Sequence, residues 1–138
     1  MPILVHCHKG VGPAVTGTAL VAADNFSARY DLDRIHGVFS RPSHKLVGES
    51  YAGRILVLDG AKGGVATAWM LHDMKARGIV PRALIFNRVN PIIAQGAAFA
   101  GVALVDRFAD DVTRLFRTGD NLRVDPAAGT VEILNRDT

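Results

Sequence analysis

Hydrophobic residues fall into short blocks whose period changes along the chain. Residues 3–8 and 15–22 form strand-like blocks, the second in near alternation, with Gly10, Gly12, Pro13 and Gly17 as punctuation. Between residues 24 and 50 the pattern dissolves into polar and turn residues around the short pairs Arg34-Ile35 and Val38-Phe39. A connection of that length inside a compact domain is usually functional.

Beyond Gly53 strand and helix patterns alternate. The apolar run 54–58 predicts a buried strand, and residues 65–77 predict a helix with Gly78 just past its end. Pro81 opens a strand over 82–86, and Asn90-Pro91 caps a short helix over 92–100 that Gly101 ends. A strand over 102–105 follows, then an amphipathic helix over 110–116 with Val112, Leu115 and Phe116 on one face. Residues 121–134 read as a hairpin, strand 122–124 and strand 130–134 about the turn 125–129. Trp69, Met70 and Met74 fall at core spacing on the first helix. Strands first, then βαβα units, then a hairpin predict a barrel-like β layer of six or seven strands with helices packed on part of it.

The joint between the strand at 54–58 and the helix at 65–77 carries the candidate chemistry. Asp59-Gly60-Ala61-Lys62-Gly63-Gly64 is a glycine-rich turn with one cation. Free N–H groups of a first helical turn point into such a loop, Gly63 and Gly64 admit a ligand close to the backbone, and Lys62 adds a full positive charge. The ligand class is a carboxylate or a phosphate; the plain alternative is a tight turn with a solvated lysine. A Walker loop is excluded because Lys62 precedes Gly63 and no Ser or Thr follows until Thr67. Gly60, Gly63 and Gly64 also miss the spacing of a dinucleotide fingerprint. Arg88, following a buried strand, is placed where α/β ligands bind and could grip a substrate carboxylate as a bidentate donor, or stand solvated.

Length and charge narrow the classes. With 138 residues, 49% of them hydrophobic, the chain is expected to form a single domain, 1–138, with a proper core. A net charge of +3, dispersed and without aromatic positions beside basic clusters, argues against nucleic acid and allows only a modest bias toward anionic small ligands. The single cysteine, Cys7, excludes an internal disulfide and a Cys-only cluster. His6 and His8 share one face of a strand while Cys7 points to the other, so no metal is expected on this chain. Without a secretory leader pattern or an apolar run near 18 residues, neither secretion nor a membrane is indicated and a cytoplasmic location is expected.

An ordered set of segments is more specific than any of these signals. Gly17-Thr-Ala-Leu-Val21, Phe26-Ser27, His44-Lys-Leu-Val-Gly48-Glu-Ser50, Gly53-Arg-Ile-Leu56, the Lys62-Gly63 loop, Gly78-Ile-Val-Pro81-Arg-Ala-Leu-Ile85 and Pro91-Ile-Ile-Ala-Gln-Gly-Ala97 resemble, in that order, the small subunit of aconitase X. The resemblance spans roughly residues 16–106. It implies an α/β chain forming the swivelling β/β/α domain of aconitases, a barrel-like β core with flanking helices. It further implies pairing with a large aconitase X-like catalytic subunit that carries an iron–sulfur cluster or iron, and dehydration of a hydroxy acid of the hydroxyproline or phosphomevalonate type. The loop around His44 and Ser50 is implied to approach the subunit interface near the active site, which makes His44 a candidate substrate contact; a surface hydrogen-bonding role is the plain reading.

One departure stands out. The family usually carries a serine-rich run directly after the Lys/Arg-Gly of the loop, with a serine as the implied catalytic base, whereas this chain has Gly64, Val65 and Ala66. None of these transfers a proton. Thr67 is the candidate catalytic hydroxyl, unless it bonds its own backbone. Two rivals follow: a binding or regulatory module that keeps the fold and the anion loop, and a phosphohistidine carrier, which would need a histidine where the helix opens and finds none.

Overall fold

The computed structural model describes residues 2–28 and 30–136. Among the described residues ten strands are present, β1 (Ile3–His6), β2 (Val15–Val21), β3 (Asn25–Phe26), β4 (Leu32–Asp33), β5 (Val38–Phe39), β6 (Ile55–Ala61), β7 (Ala83–Arg88), β8 (Ala103–Val105), β9 (Asn121–Asp125) and β10 (Thr130–Asn135). They are joined by helices α1 (Val65–Ala76), α2 (Pro91–Ala100) and α3 (Val112–Leu115). The main sheet runs β1-β10-β9-β2-β6-β7-β8, with β3 added beside β6.

Strand β2 is the joint of the architecture. Its first half, Val15 to Thr18, pairs antiparallel with β9, and its second half, Ala19 to Val21, pairs parallel with β6. The antiparallel hairpin side and the parallel βαβα side therefore share one strand. The sheet then curls until its ends meet: Val11, beyond β1, exchanges two backbone hydrogen bonds of 3.0 Å with Leu104 of β8, and Cys7 bridges to Phe108. Seven strands on one path, closed through these bridges, form the barrel-like layer that the sequence predicts.

Two apolar clusters explain why β6 and β7 read as continuous hydrophobic runs. Leu56, Leu58, Leu84 and Phe86 face a cluster with Leu71 and Met74 of α1 and Ile93 and Ala97 of α2. Ile55, Val57, Ala83 and Ile85 face the other, with Leu122, Val124, Val131, Ile133, Val112 and Phe116. A strand buried on both faces loses its period-two alternation. At the crossing of the helices Gly96 leaves no room for a side chain, since a Cβ there would lie 2.4 Å from the Ala68 methyl.

Three expectations need correction. Trp69 is not in the core; it is 70% exposed. The buried stripe of α1 is Thr67, Leu71 and Met74, and at about 100° per residue Trp69 falls on the opposite side. Strand β6 does not end at Leu58 but runs to Ala61, because Asn25 and Phe26 pair with Gly60 and Ala61 and supply a further ladder. The helix expected over 110–116 is the single turn Val112–Leu115, since Phe116 has already turned to an extended conformation.

The stretch 24–50 is a packed loop carrying the small β4–β5 ladder. Phe26, Leu32, Phe39, Leu46 and Tyr51 anchor it in the core, each at most 7% exposed. Among the described residues no helix is long and apolar enough to cross a membrane.

Candidate functional site

Pairing with β3 shortens the turn after β6 to Lys62, Gly63 and Gly64, and it fixes the turn's start. The Lys62 N–H donates to Phe26 O at 2.7 Å. Gly63 adopts a φ of 100°, a left-handed conformation that favours glycine. A Cβ there would also lie 2.5 Å from Thr67 Oγ1. Gly64 is the N-cap of α1 and supplies no side-chain cap, so the first-turn N–H groups of this helix lack the usual acceptor.

Around this turn lies a cleft of about 400 Å³. Lys62, Gly63, Ala66 and Thr67 form one wall, and Asn25, Ser27, Tyr30, Asp31 and Arg41 the other. Lys62 is exposed and has no ion-pair partner among the described residues. Arg41 is engaged: its Nε donates to Asp31 Oδ1, and its Nη1 donates to Ser43 Oγ at 2.9 Å. Asp31 is 3% exposed and accepts the Ser27 N–H at 3.1 Å through its other oxygen. The Asp31–Arg41 pair thus braces the wall opposite Lys62 and leaves Lys62 as the cation free to meet a ligand.

The candidate residues separate on this map. Lys62, Gly63 and Thr67 share the cleft, with Gly64 at its rim. The Thr67 hydroxyl donates to Lys62 O at 3.3 Å, the backbone alternative recognised in the sequence. His44 sits beneath the wall rather than on it. Its ring is 2% exposed, its Nδ1 accepts the Leu46 N–H at 3.0 Å, and its Nε2 lies 2.8 Å from Asn25 O, so the proton resides on Nε2. Stacked on Phe39 with ring centroids 4.6 Å apart, His44 holds the β3 backbone in place. Nearby, burial disfavours the Asp24 carboxylate, but the N–H groups of Asn25 and Lys45, with His44 and Arg41 beside it, hold it below its ordinary value.

Arg88 ends β7 opposite Gly60 and lines a neighbouring, more polar cleft with Asp59, Asn87, Arg107 and Asp110. Among the described residues no three His, Cys, Asp or Glu side chains converge as metal ligands.

Sequence reasoning missed Asn25, Ser27, Asp31 and Arg41, and it read Asn90 only as a cap. Asn90 does cap α2, accepting the Ile93 N–H at 2.9 Å. It also reaches back to the catalytic candidate loop, donating from Nδ2 to Gly63 O at 3.0 Å. The only signal for Asp31 and Arg41 was two charges inside an unusually long connection, because a ten-residue separation carries no periodicity.

Residues 4–133 match the model of the aconitase X swivel domain. The chain belongs to that family. Phosphomevalonate dehydratase small subunits resemble it along nearly the whole length: that of Methanocella arvoryzae is 31% identical over 91% of this chain and 96% of its own. That of Methanococcoides burtonii is 31% identical over 97% and 98%. The crystal structure of holo aconitase X from Thermococcus kodakaraensis superposes with a TM-score of 0.88 at 28% identity, covering 96% of this chain and 99% of its own.

Proposed function

We propose that this chain is the small subunit of an aconitase X-like dehydratase and contributes an anion-binding turn to an active site shared with a large subunit. The observation that carries the reading is the unpaired Lys62 beside an uncapped helix N-terminus, facing a cleft whose other cation is already neutralised by Asp31. Such a turn binds the carboxylate or phosphate of a hydroxy acid, through the lysine charge and the backbone N–H groups. The relatives named as phosphomevalonate dehydratase small subunits support a substrate of that chemistry.

In this reading the chain orients and neutralises the acid, and an iron or iron–sulfur group held by the large subunit would supply Lewis acidity. Thr67 shapes the turn, since its proton is engaged with Lys62 O. Arg88 serves a second anionic group of a substrate that reaches across the ends of β6 and β7, and His44 acts through the β3 wall. The partner would cover the apolar groove between α1 and α2, lined by Val65, Trp69, Ile92 and Phe99. These four are 46–77% exposed and line one groove. The groove adjoins the anion turn, because Val65 follows Gly64 directly, so a chain seated there arrives at the rim of the cleft.

Gly64-Val65-Ala66, where the resemblance to the family implies serines, favours a second reading, a regulatory module that gates or stabilises the partner without joining the chemistry. Reconstitution separates the two. The isolated chain is expected to dehydrate nothing, and the chain mixed with its large subunit to turn over a hydroxy acid. A large subunit equally active without this chain would refute the shared site.

A further inference from the structure

We infer that Asn90 is a positioning residue for anion binding, acting through the Gly63–Gly64 peptide in addition to capping α2; the inference rests on the anion-turn reading of Lys62. Every peptide bond described is trans, so within each peptide the C=O and N–H point in opposite directions. Fixing a carbonyl therefore fixes where the next N–H points. The Lys62 carbonyl is held by the Thr67 hydroxyl at 3.3 Å, which directs the Gly63 N–H away from Thr67. The Gly63 carbonyl is held by Asn90 Nδ2 at 3.0 Å, which directs the Gly64 N–H away from Asn90. Neither N–H has a hydrogen-bond partner among the described residues.

Two consecutive glycines make this restraint matter. With no Cβ to limit their dihedrals, a concerted rotation can flip the peptide between Gly63 and Gly64. A flip would present a carbonyl, the negative end of the dipole, to an incoming anion. Asn90 opposes it, and its own orientation is settled by its two partners: the Ile93 N–H needs an acceptor and Gly63 O needs a donor, so the amide fits one way round. Pro91 follows Asn90 and biases its backbone to the extended region it occupies, φ −76° and ψ 156°. A rigid βα turn thus carries the clamp for a flexible one.

The test separates capping from clamping. Serine caps as well as asparagine but is too short to hold Gly63 O, so Asn90→Ser keeps the helix and loses the clamp. Inorganic phosphate is titrated into the full chain while the backbone amide resonances of Gly63 and Gly64 are followed by NMR. In the wild type both resonances move saturably. In Asn90→Ser the same titration requires about 5- to 10-fold more phosphate, the equivalent of one hydrogen bond, with Tm within about 4 °C of the wild type. Asn90→Thr, a second capping side chain without the amide, repeats the measurement should the serine variant fold poorly. Unchanged phosphate affinity in a folded, capped variant overturns the inference and leaves the anion turn standing. A wild-type chain whose Gly63 and Gly64 amides ignore phosphate overturns the anion turn, and the inference with it.

Discussion

The strand-to-helix turns after β6 and β7, on the parallel side of the sheet, solve the same problem in opposite ways. After β7, Asn90 caps the helix with its side chain and Pro91 occupies the first helical position, so the helix entrance is satisfied from within. After β6, Gly64 offers no cap, Gly63 is left-handed, and Lys62 has no ion-pair partner among the described residues. The capped turn is a structural part, and the uncapped turn leaves its donors for a ligand. The capped turn then reaches across to steady the open one through the Asn90–Gly63 bond. A site of this kind is recognised by what its backbone lacks.

The largest effect is expected at Gly63. Gly63→Ala would force a Cβ into the left-handed region and against Thr67 Oγ1. The conformational cost of about 1–2 kcal/mol and the loss of the Thr67–Lys62 bond, about 0.5–1.5 kcal/mol, predict a stability drop of roughly 2–3 kcal/mol in denaturant melts. A smaller drop, about 1.5–2 kcal/mol, is expected for Asn90→Ala, which removes both the cap of α2 and the bond to Gly63 O. Stability unchanged by Asn90→Ala would mean that the two turns differ less than their hydrogen bonds indicate.

Gly64→Ser should affect the fold least of the three, since no atom lies within 4 Å of a Cβ built there. A melting curve within about 0.5 kcal/mol of the wild type is expected. The same variant places a hydroxyl where the resemblance to the family implies a serine, so its kinetics in the assembled complex show whether the proton-transfer group was lost from this position. A gain in turnover supports the regulatory reading of the wild-type chain, and no gain places the base elsewhere in the shared site.

Much of this contrast was legible in the sequence, and the reasons are local. Asn90-Pro91 announces a helix start because both residues act on their own backbone. Lys62-Gly63-Gly64 announces an open turn for the same reason. The opposite wall of the cleft was not legible, because Asp31, Arg41 and Ser27 meet through tertiary packing of the 24–50 loop around Phe26, Phe39 and Tyr51. The length of β6 was missed for a related cause: residues 59–61 are strand only because β3 lies beside them. His44 was read from its turn-rich neighbours as a loop group, yet it serves as a buried brace between Leu46 and Asn25. Trp69 was read as core because it was grouped by spacing with Met70 and Met74, whereas the buried stripe runs through Thr67, Leu71 and Met74.

The central claim, that the turn after β6 grips an anionic substrate in a site completed by a partner, is tested most directly by the steady-state kinetics of Lys62→Ala in the reconstituted complex. A charge-assisted contact of about 1.5–3 kcal/mol predicts a kcat/KM lower by roughly 10- to 100-fold, with Tm essentially unchanged because an exposed loop lysine adds little to folding. Wild-type kinetics in Lys62→Ala would contradict the account and reduce the turn to a connection between β6 and α1.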